Sequence, residues 1–378
     1  THERSSAASD VYKRQFLGGA TLAKTKYYNV LSNKQNQWYV DGGATSGIFS
    51  SESEPAVFKI YESHINIDEM PNQYEWRRSA TKITPNQSFL TEELPAAERY
   101  KAVVEAMSAP KTKVRIEVEE SLPALFEGAE LGKAALEKSL YIELVDECCD
   151  TDYRIVAYQH ENCNKYRICE PTDERPLVKQ IEEFTGKSVQ DLAKQMEEIA
   201  KWQTTFLLSN SHSKLPLSAI HLEVSALDEH GNIKPVELIS GEIKSTYKED
   251  GEERISPAYR VKLTNKSSKN LYYAAYILGS DFSCTDDVLQ TRMLKAGESL
   301  CLWEDEEVVF PFEAFVNEDL LNLGVTEESN TLKIIASTEQ FDSGTLNQDG
   351  LEMAQTMRPL RKSVPAKKDW ISQQITFT

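Results

Sequence analysis

Leu271-Tyr272-Tyr273-Ala274-Ala275-Tyr276-Ile277-Leu278 is an apolar run without a single charged residue. A strand with one face in water alternates apolar and polar residues, whereas a strand that is buried on both faces reads as a continuous apolar run. The run therefore predicts a central strand of a β-sheet in the C-terminal half of the chain.

Short strands are predicted on both sides of this run. They are indicated by alternating or β-branched stretches at residues 220–224, 259–263, 308–312, 332–336 and 371–377. Turns are predicted at 230–232, 249–251 and 296–297, where glycine occurs. Several short strands separated by turns are typical of a sandwich, so residues 211–378 are predicted to form an immunoglobulin-like β-sandwich.

The preceding part, residues 111–210, mixes the two kinds of structure. Residues 113–118 alternate strictly and predict a strand, and further strands are predicted at 141–145, 153–158 and 165–169. Residues 121–138 carry leucines at roughly helical spacing, and 177–184 and 188–208 are predicted to be helices. Ser188 and Asp191 resemble a capping box at the start of the last helix. Its apolar stripe is expected to be core, and consists of Leu192, Met196, Ile199, Trp202, Phe206 and Leu207.

Residues 16–110 are predicted to be a small β-rich domain, either a barrel or a sandwich. Trp38-Tyr39-Val40, residues 56–61 and residues 100–107 predict strands, and glycines after Asp41 permit tight turns. Residues 1–15 are polar and resemble a translated sequencing adapter, so they are expected to be a disordered, dispensable scar on a gene fragment; a natural disordered terminus is the alternative. The predicted fold class is α+β, mainly β: a small β-domain, then a mixed α/β unit with two helices, then the sandwich.

The composition argues against two classes of partner, nucleic acids and anionic membrane surfaces. The formal net charge is -18, and the basic runs at 77–78 and 358–368 are short. Binding of nucleic acid or an anionic membrane surface requires clustered lysine and arginine, so neither partner is expected. Without an uncharged apolar stretch of about 18 residues no membrane span is predicted, and we expect a cytoplasmic protein.

No cofactor or metal site is predicted. The cysteines are Cys148, Cys149, Cys163, Cys169, Cys284 and Cys301. The first four, with His160, could in principle ligate zinc, but they contain no C-x-x-C pair, and reduced thiols are the simpler interpretation. Asp281, Asp286 and Asp287 lack the calcium-loop pattern, and the acidic residues at 304–307 are interpreted as a solvated face.

His230 and Cys284 are the sharpest catalytic candidates. A histidine followed by glycine, with a cysteine 54 residues later, is superficially like a caspase. However, residues 228–232 are predicted to be a hairpin turn, and no glycine follows Cys284 to shape an oxyanion hole. No catalytic residue is therefore assigned. Sequons at Asn86 and Asn265 are attributed to chance.

Three stretches resemble bacterial caspase-like (peptidase C14) proteins, in the region that follows their catalytic domain. The first is Phe16-Leu17-Gly18-Gly19 followed by Trp38-Tyr39-Val40-Asp41-Gly42-Gly43-Ala44-Thr45-Ser46-Gly47-Ile48. The second is Ile199-Ala200-Lys201-Trp202 followed by Leu207-Leu208-Ser209-Asn210, and the third is Leu332-Lys333-Ile334-Ile335-Ala336-Ser337-Thr338-Glu339-Gln340-Phe341-Asp342. None of them is a catalytic motif. The resemblance implies a non-catalytic accessory region that scaffolds, regulates or directs a caspase-like domain in cis.

Two other functions stay open. The chain could be a free-standing multi-domain β binding module for a protein or glycan. Trp303 and Trp370 could serve such a site if they are exposed, and the alternative is that they are core residues. The chain could also be a hydrolase with an unrecognised site.

Overall fold

The computed structural model describes residues 25–51, 54–95, 99–146, 151–210, 213–227, 232–236, 241–250, 253–305, 308–309, 312–313, 328–353 and 370–377. The predicted adapter, residues 1–15, lies outside this set, as do residues 16–24 of the first predicted domain. The described chain is mainly β, with two α-helices, as predicted.

The first unit is a closed antiparallel barrel of six strands. Its strands follow the order β1-β2-β5-β4-β3-β6, and β6 pairs with β1. Closure leaves no strand edge unpaired. Gly43 is required where the chain turns after β2, because a Cβ there would lie 2.2 Å from the Thr84 carbonyl oxygen. The strands are β1 (Tyr28–Ser32), β2 (Trp38–Val40), β3 (Ala56–Glu62), β4 (Trp76–Ile83), β5 (Ser88–Leu90) and β6 (Tyr100–Ala106).

The second unit is a five-stranded mixed sheet with two helices. Strand order is β11-β10-β9-β7-β8, and β7 runs parallel to both β8 and β9. Helix α1 connects β7 to β8, and α1 and α2 pack against each other and against β7. The elements are β7 (Thr112–Val118), α1 (Pro123–Leu136), β8 (Ile142–Leu144), β9 (Tyr153–His160), β10 (Cys163–Cys169), β11 (Ile181–Glu182) and α2 (Gly186–Leu207).

Two predictions for this unit are wrong. Residues 177–184 are not a helix, because extended partners take their backbone groups: Leu177 N–H donates to the Ile168 carbonyl, and Lys179 N–H donates to the Glu352 carbonyl. The cap of α2 is Thr185, whose side chain accepts from Ser188 N–H, so Ser188 lies inside the first turn instead of preceding it.

Among the described residues, the third unit has two five-stranded sheets that pack face to face around one core, and two two-stranded sheets, β15-β16 and β21-β22. One sheet has the order β13-β12-β17-β20 with β23 beside β17, and the other has β14-β25-β24-β18-β19. Strand β18 coincides with the predicted central strand and is paired on both edges. Within the predicted strand at 308–312, residues 308–309 belong to β22 and residue 312 begins β23, and residues 310–311 lie outside the described residues.

The strands of the third unit are β12 (Ile220–Leu227), β13 (Ile233–Pro235), β14 (Glu242–Ile243), β15 (Lys248–Asp250), β16 (Glu253–Ile255), β17 (Ala258–Asn265), β18 (Leu271–Leu278), β19 (Cys284–Leu294), β20 (Ser299–Cys301), β21 (Glu304–Asp305), β22 (Val308–Val309), β23 (Phe312–Glu313), β24 (Asn330–Ser337) and β25 (Trp370–Phe377).

The β24-β18 sheet is buried on both faces. Tyr273 and Ile334 point into the sandwich core, whereas Tyr276 and Ile335, on the opposite face, join the core that contains Trp202 of α2 and the barrel interior. The continuous apolar run at 271–278 is thereby explained, since neither face of the strand meets water.

The predicted core role of Trp202 is confirmed. Its side chain is 5% exposed, its ring stacks on Phe206 at 5.2 Å between centroids, and it meets Phe282 edge-on at 5.5 Å. We expect Trp202→Ala to lower the free energy of unfolding by about 3–5 kcal/mol, because truncation leaves a cavity. Urea unfolding measures this, with Phe126→Ala on the exposed side of α1 as the control; equal small losses in both variants would contradict the core assignment.

Candidate functional site

One segment, which we call the strap (residues 340–353), touches all three units. At the barrel, Asn86 Nδ2 donates to the Gln340 carbonyl at 2.7 Å. At the sandwich, Cys284 and Gln348 exchange two backbone hydrogen bonds of 3.0 and 2.9 Å, so the strap covers the start of edge strand β19. Covering an exposed strand edge removes a site of unwanted pairing.

Asp286 is the polar anchor of the strap. Its side chain is 4% exposed, and its two carboxylate oxygens accept from Ser343 Oγ at 2.5 Å and from Asn347 Nδ2 at 2.6 Å. The Asn347 amide oxygen in turn accepts from the Asp286 backbone N–H at 3.0 Å. A buried carboxylate is tolerated when it is hydrogen-bonded in this way, and the calcium role weighed for Asp286 is not needed to explain its position.

The far end of the strap joins the mixed unit. Gln348 Nε2 donates to the Glu198 carbonyl of α2 at 3.1 Å. Lys179 donates its backbone N–H to the Glu352 carbonyl at 2.8 Å, and its ammonium pairs with the Glu352 carboxylate at 2.8 Å. The strap therefore runs from the barrel, across the sandwich, to the edge of the mixed sheet.

A groove of about 1190 Å³ opens where the strap reaches the mixed unit. One wall is the N-terminal half of α2, the other is the β11 edge with its flanking residues, and the strap forms the end. The side chains are mostly charged, with both signs present. From α2 they are Lys187, Ser188, Asp191, Lys194, Gln195 and Glu198; from the opposite wall Lys165, Lys179, Ile181, Glu182 and Glu183; and from the strap Leu351, Glu352 and Met353.

A lysine is buried where the sandwich meets α2. Lys333 on β24 is 2% exposed, and its ammonium donates to the Phe206 carbonyl at 2.9 Å, in the last turn of the helix. Ser372 of β25 likewise donates to the Leu208 carbonyl at 2.8 Å. No carboxylate of the described residues pairs with Lys333, and burial lowers its pKa to about 7.

The position of Cys284 does not favour a role as a nucleophile. The side chain is 1% exposed at the start of β19, and burial raises the pKa of the thiol to about 12. A thiol that stays protonated at neutral pH is inert. His230 lies outside the described residues, although β12 and β13 on either side of it form the antiparallel pair expected for a hairpin.

The other cysteine candidates are separated. Cys163 and Cys169 stand at opposite ends of β10, about 20 Å apart along an extended strand, so one zinc ion cannot bind both. Cys148 and Cys149 lie outside the described residues. Within the described ranges no three His, Cys, Asp or Glu side chains are grouped as a metal site would require.

The two tryptophans considered as ligand-binding side chains, Trp303 and Trp370, are not exposed. Trp370 is 1% exposed and belongs to the core, and Trp303 is half-buried against the sandwich core. The Asn265 side chain, which belongs to one of the sequons, has a structural role: it is fully buried, and its amide donates to three carbonyls. Within the described ranges, no helix is long and apolar enough to cross a membrane.

Sequence reasoning did not identify the strap or the groove. Asp286 was weighed only as a calcium ligand, and its partners Ser343 and Asn347 lie about sixty positions further along the chain.

Comparison of the chain with protein-family models, with curated proteins and with solved structures finds no match.

Lys333 makes stability depend on pH. Its pKa is about 7 in the folded chain and ordinarily 10.5, so between these values the unfolded chain binds more protons. The free energy of unfolding should therefore rise as the pH rises from 7 to 10.5, by up to about 1.4 kcal/mol for each pH unit. Below pH 7 the lysine is charged in both states, so the full cost of burying its charge lowers the stability of the folded chain.

Urea unfolding of the wild-type chain and of Lys333→Met from pH 6 to 10 measures this contribution. We expect the variant to be the more stable protein at pH 7 and the difference to shrink as the pH rises. Parallel curves for the two proteins would show that Lys333 does not titrate in this window.

Proposed function

We propose that the chain is a non-catalytic accessory region that scaffolds, regulates or directs a caspase-like cysteine peptidase domain in cis. The observation that carries this proposal is the strap, which fixes three units together through hydrogen bonds and a shared core. Units that are fixed to one another can present binding surfaces at constant relative positions. Cys284, the cysteine considered as a nucleophile, is buried, and burial raises the pKa of its thiol.

Parts of the three stretches that resemble caspase-like proteins lie at or beside contacts between units, which supports the same proposal. Gly47, after β2, lies against Leu346 of the strap, since a Cβ there would be 3.9 Å from Leu346 Cδ2. Lys333 of the third stretch donates to the carbonyl of Phe206, which lies between the two parts of the second stretch. We also propose the finer layout predicted above: domains at 16–110, 111–210 and 211–378, an immunoglobulin-like sandwich and a cytoplasmic location.

A free-standing binding module is the second candidate, and the groove beside α2 favours it. Ligand sites are concave and are placed preferentially between packed elements. The two candidates share a recognition role and differ in whether a catalytic domain is attached. Comparing a parent protein with a version cut near Phe16 separates them: unchanged activity, substrate choice and oligomeric state would contradict the accessory role in cis.

Peptidase activity and thiol labelling test whether the chain is non-catalytic. With fluorogenic peptides of acidic and basic P1 residue, we expect the same background rate for the wild-type chain and for Cys284→Ala. Iodoacetamide at pH 8 should leave Cys284 unlabelled in the folded chain and label it in urea, with half-buried Cys163 as the internal control. Peptide cleavage that disappears in Cys284→Ala would overturn the proposal.

A further inference from the structure

The groove beside α2 presents a regular row of charge. Lys187, Asp191, Lys194 and Glu198 follow one another at spacings of four, three and four residues, so they form one stripe on the helix. Over eleven residues the stripe is about 16 Å long. Its signs alternate along the helix, and the wall opposite it is also charged.

Some of these charges are already paired within the chain. Lys165 pairs with Glu182 at 2.8 Å across β10 and β11, and Lys179 pairs with Glu352 of the strap. Lys187, Asp191 and Glu183 make no ion pair with any described residue. They leave two carboxylates and one ammonium available to a partner, an excess of negative charge.

Glu198 lies at the strap end of the stripe, beside Lys194. Its half-buried carboxylate is 3.9 Å from the Lys194 ammonium, which is a loose contact. Burial raises the pKa of Glu198; the ammonium groups of Lys194 and Lys201 oppose this rise, and the carboxylates of Asp349 and Glu197 add to it. A cation placed against this end of the groove would stabilise the ionised carboxylate.

Several backbone groups of the walls are already bonded within the chain. The Glu182 carbonyl accepts from Ser188 Oγ at 2.9 Å, and the Lys179 carbonyl accepts from Gln195 Nε2 at 3.3 Å. The Lys179 N–H is bonded to the strap. Strand addition depends on main-chain hydrogen bonds, so an extended peptide would find few partners here, whereas a helix satisfies its own backbone.

We propose that this groove docks a basic α-helical segment of a protein partner, about three turns long. The proposal rests on the recognition role given above and names the surface and the partner's chemistry. The volume fits, because a helix about 10 Å across occupies roughly 1200 Å³ over a length of 15 Å. The net charge of -18 on the whole chain would also speed the approach of a basic partner.

The test uses a stapled, alanine-based helical peptide of about twelve residues with lysines at positions i, i+4 and i+7. Isothermal titration compares its affinity for three proteins: the wild-type chain, Glu183→Lys/Asp191→Lys, and Glu93→Lys/Glu127→Lys. The second double variant makes the same change of net charge at exposed glutamates outside the groove. Circular dichroism and urea unfolding confirm that both variants are folded.

We expect saturable binding to the wild-type chain, binding about tenfold weaker or more to the groove variant, and unchanged binding to the control variant. Equal weakening in both variants would overturn the proposal, because the attraction would then be to the net charge. Equally tight binding of a same-charge peptide whose helix is broken by D-residues would overturn it too, as would the absence of saturation. The peptidase assay is independent of all three outcomes, so failure here would leave the non-catalytic proposal intact.

Discussion

The β24-β18 sheet must be covered on both faces, and the rest of the molecule is arranged around that requirement. One face packs on the second sheet of the sandwich, and the other packs on α2 and the barrel. Burial contributes roughly 25 cal/mol for each Å² of apolar surface. Separating the sandwich from α2 would therefore return Tyr276, Ile335 and Trp370 to water, and so the three units are expected to unfold cooperatively.

Polar groups at this interface are placed where α2 ends. The last carbonyls of any helix lack partners within the helix, and here Lys333 and Ser372 of the sandwich supply donors to two of them. A cation at a helix C-terminus is also favoured by the helix dipole. These gains offset part of the cost of burying an ammonium, which explains how an unpaired lysine is accommodated in an otherwise apolar contact.

Local sequence patterns predicted the elements whose conformation depends on local chemistry. Residues 271–278 were predicted as a central strand because an uncharged run has no face to present to water, and the apolar stripe of α2 was predicted because its period is helical. The failures occur where a distant partner decides. Residues 177–184 have apolar residues at helical spacing, yet the strap and β10 hold their backbone extended. Strand β19 was missed because the charged residues Asp286 and Asp287 follow its first two residues.

The candidate site was harder to predict than the fold for the same reason. Its walls come from Lys165 and residues 176–198, and its end comes from residues 351–353, which the chain reaches only after crossing the barrel and the sandwich. No charge in the groove is unusual within its own segment; the alternating signs on α2 alone would indicate a solvated helix face.

The strap forms one end of the groove and fixes its position. Asp286 holds the strap at Ser343 and Asn347, and Gln348 then reaches the Glu198 carbonyl on the helix that lines the groove. The end of the groove is thus fixed by the sandwich, although both of its walls belong to the mixed unit. A partner that fills the groove would touch a segment anchored to every unit, so its binding would act on the whole body and not on one domain alone.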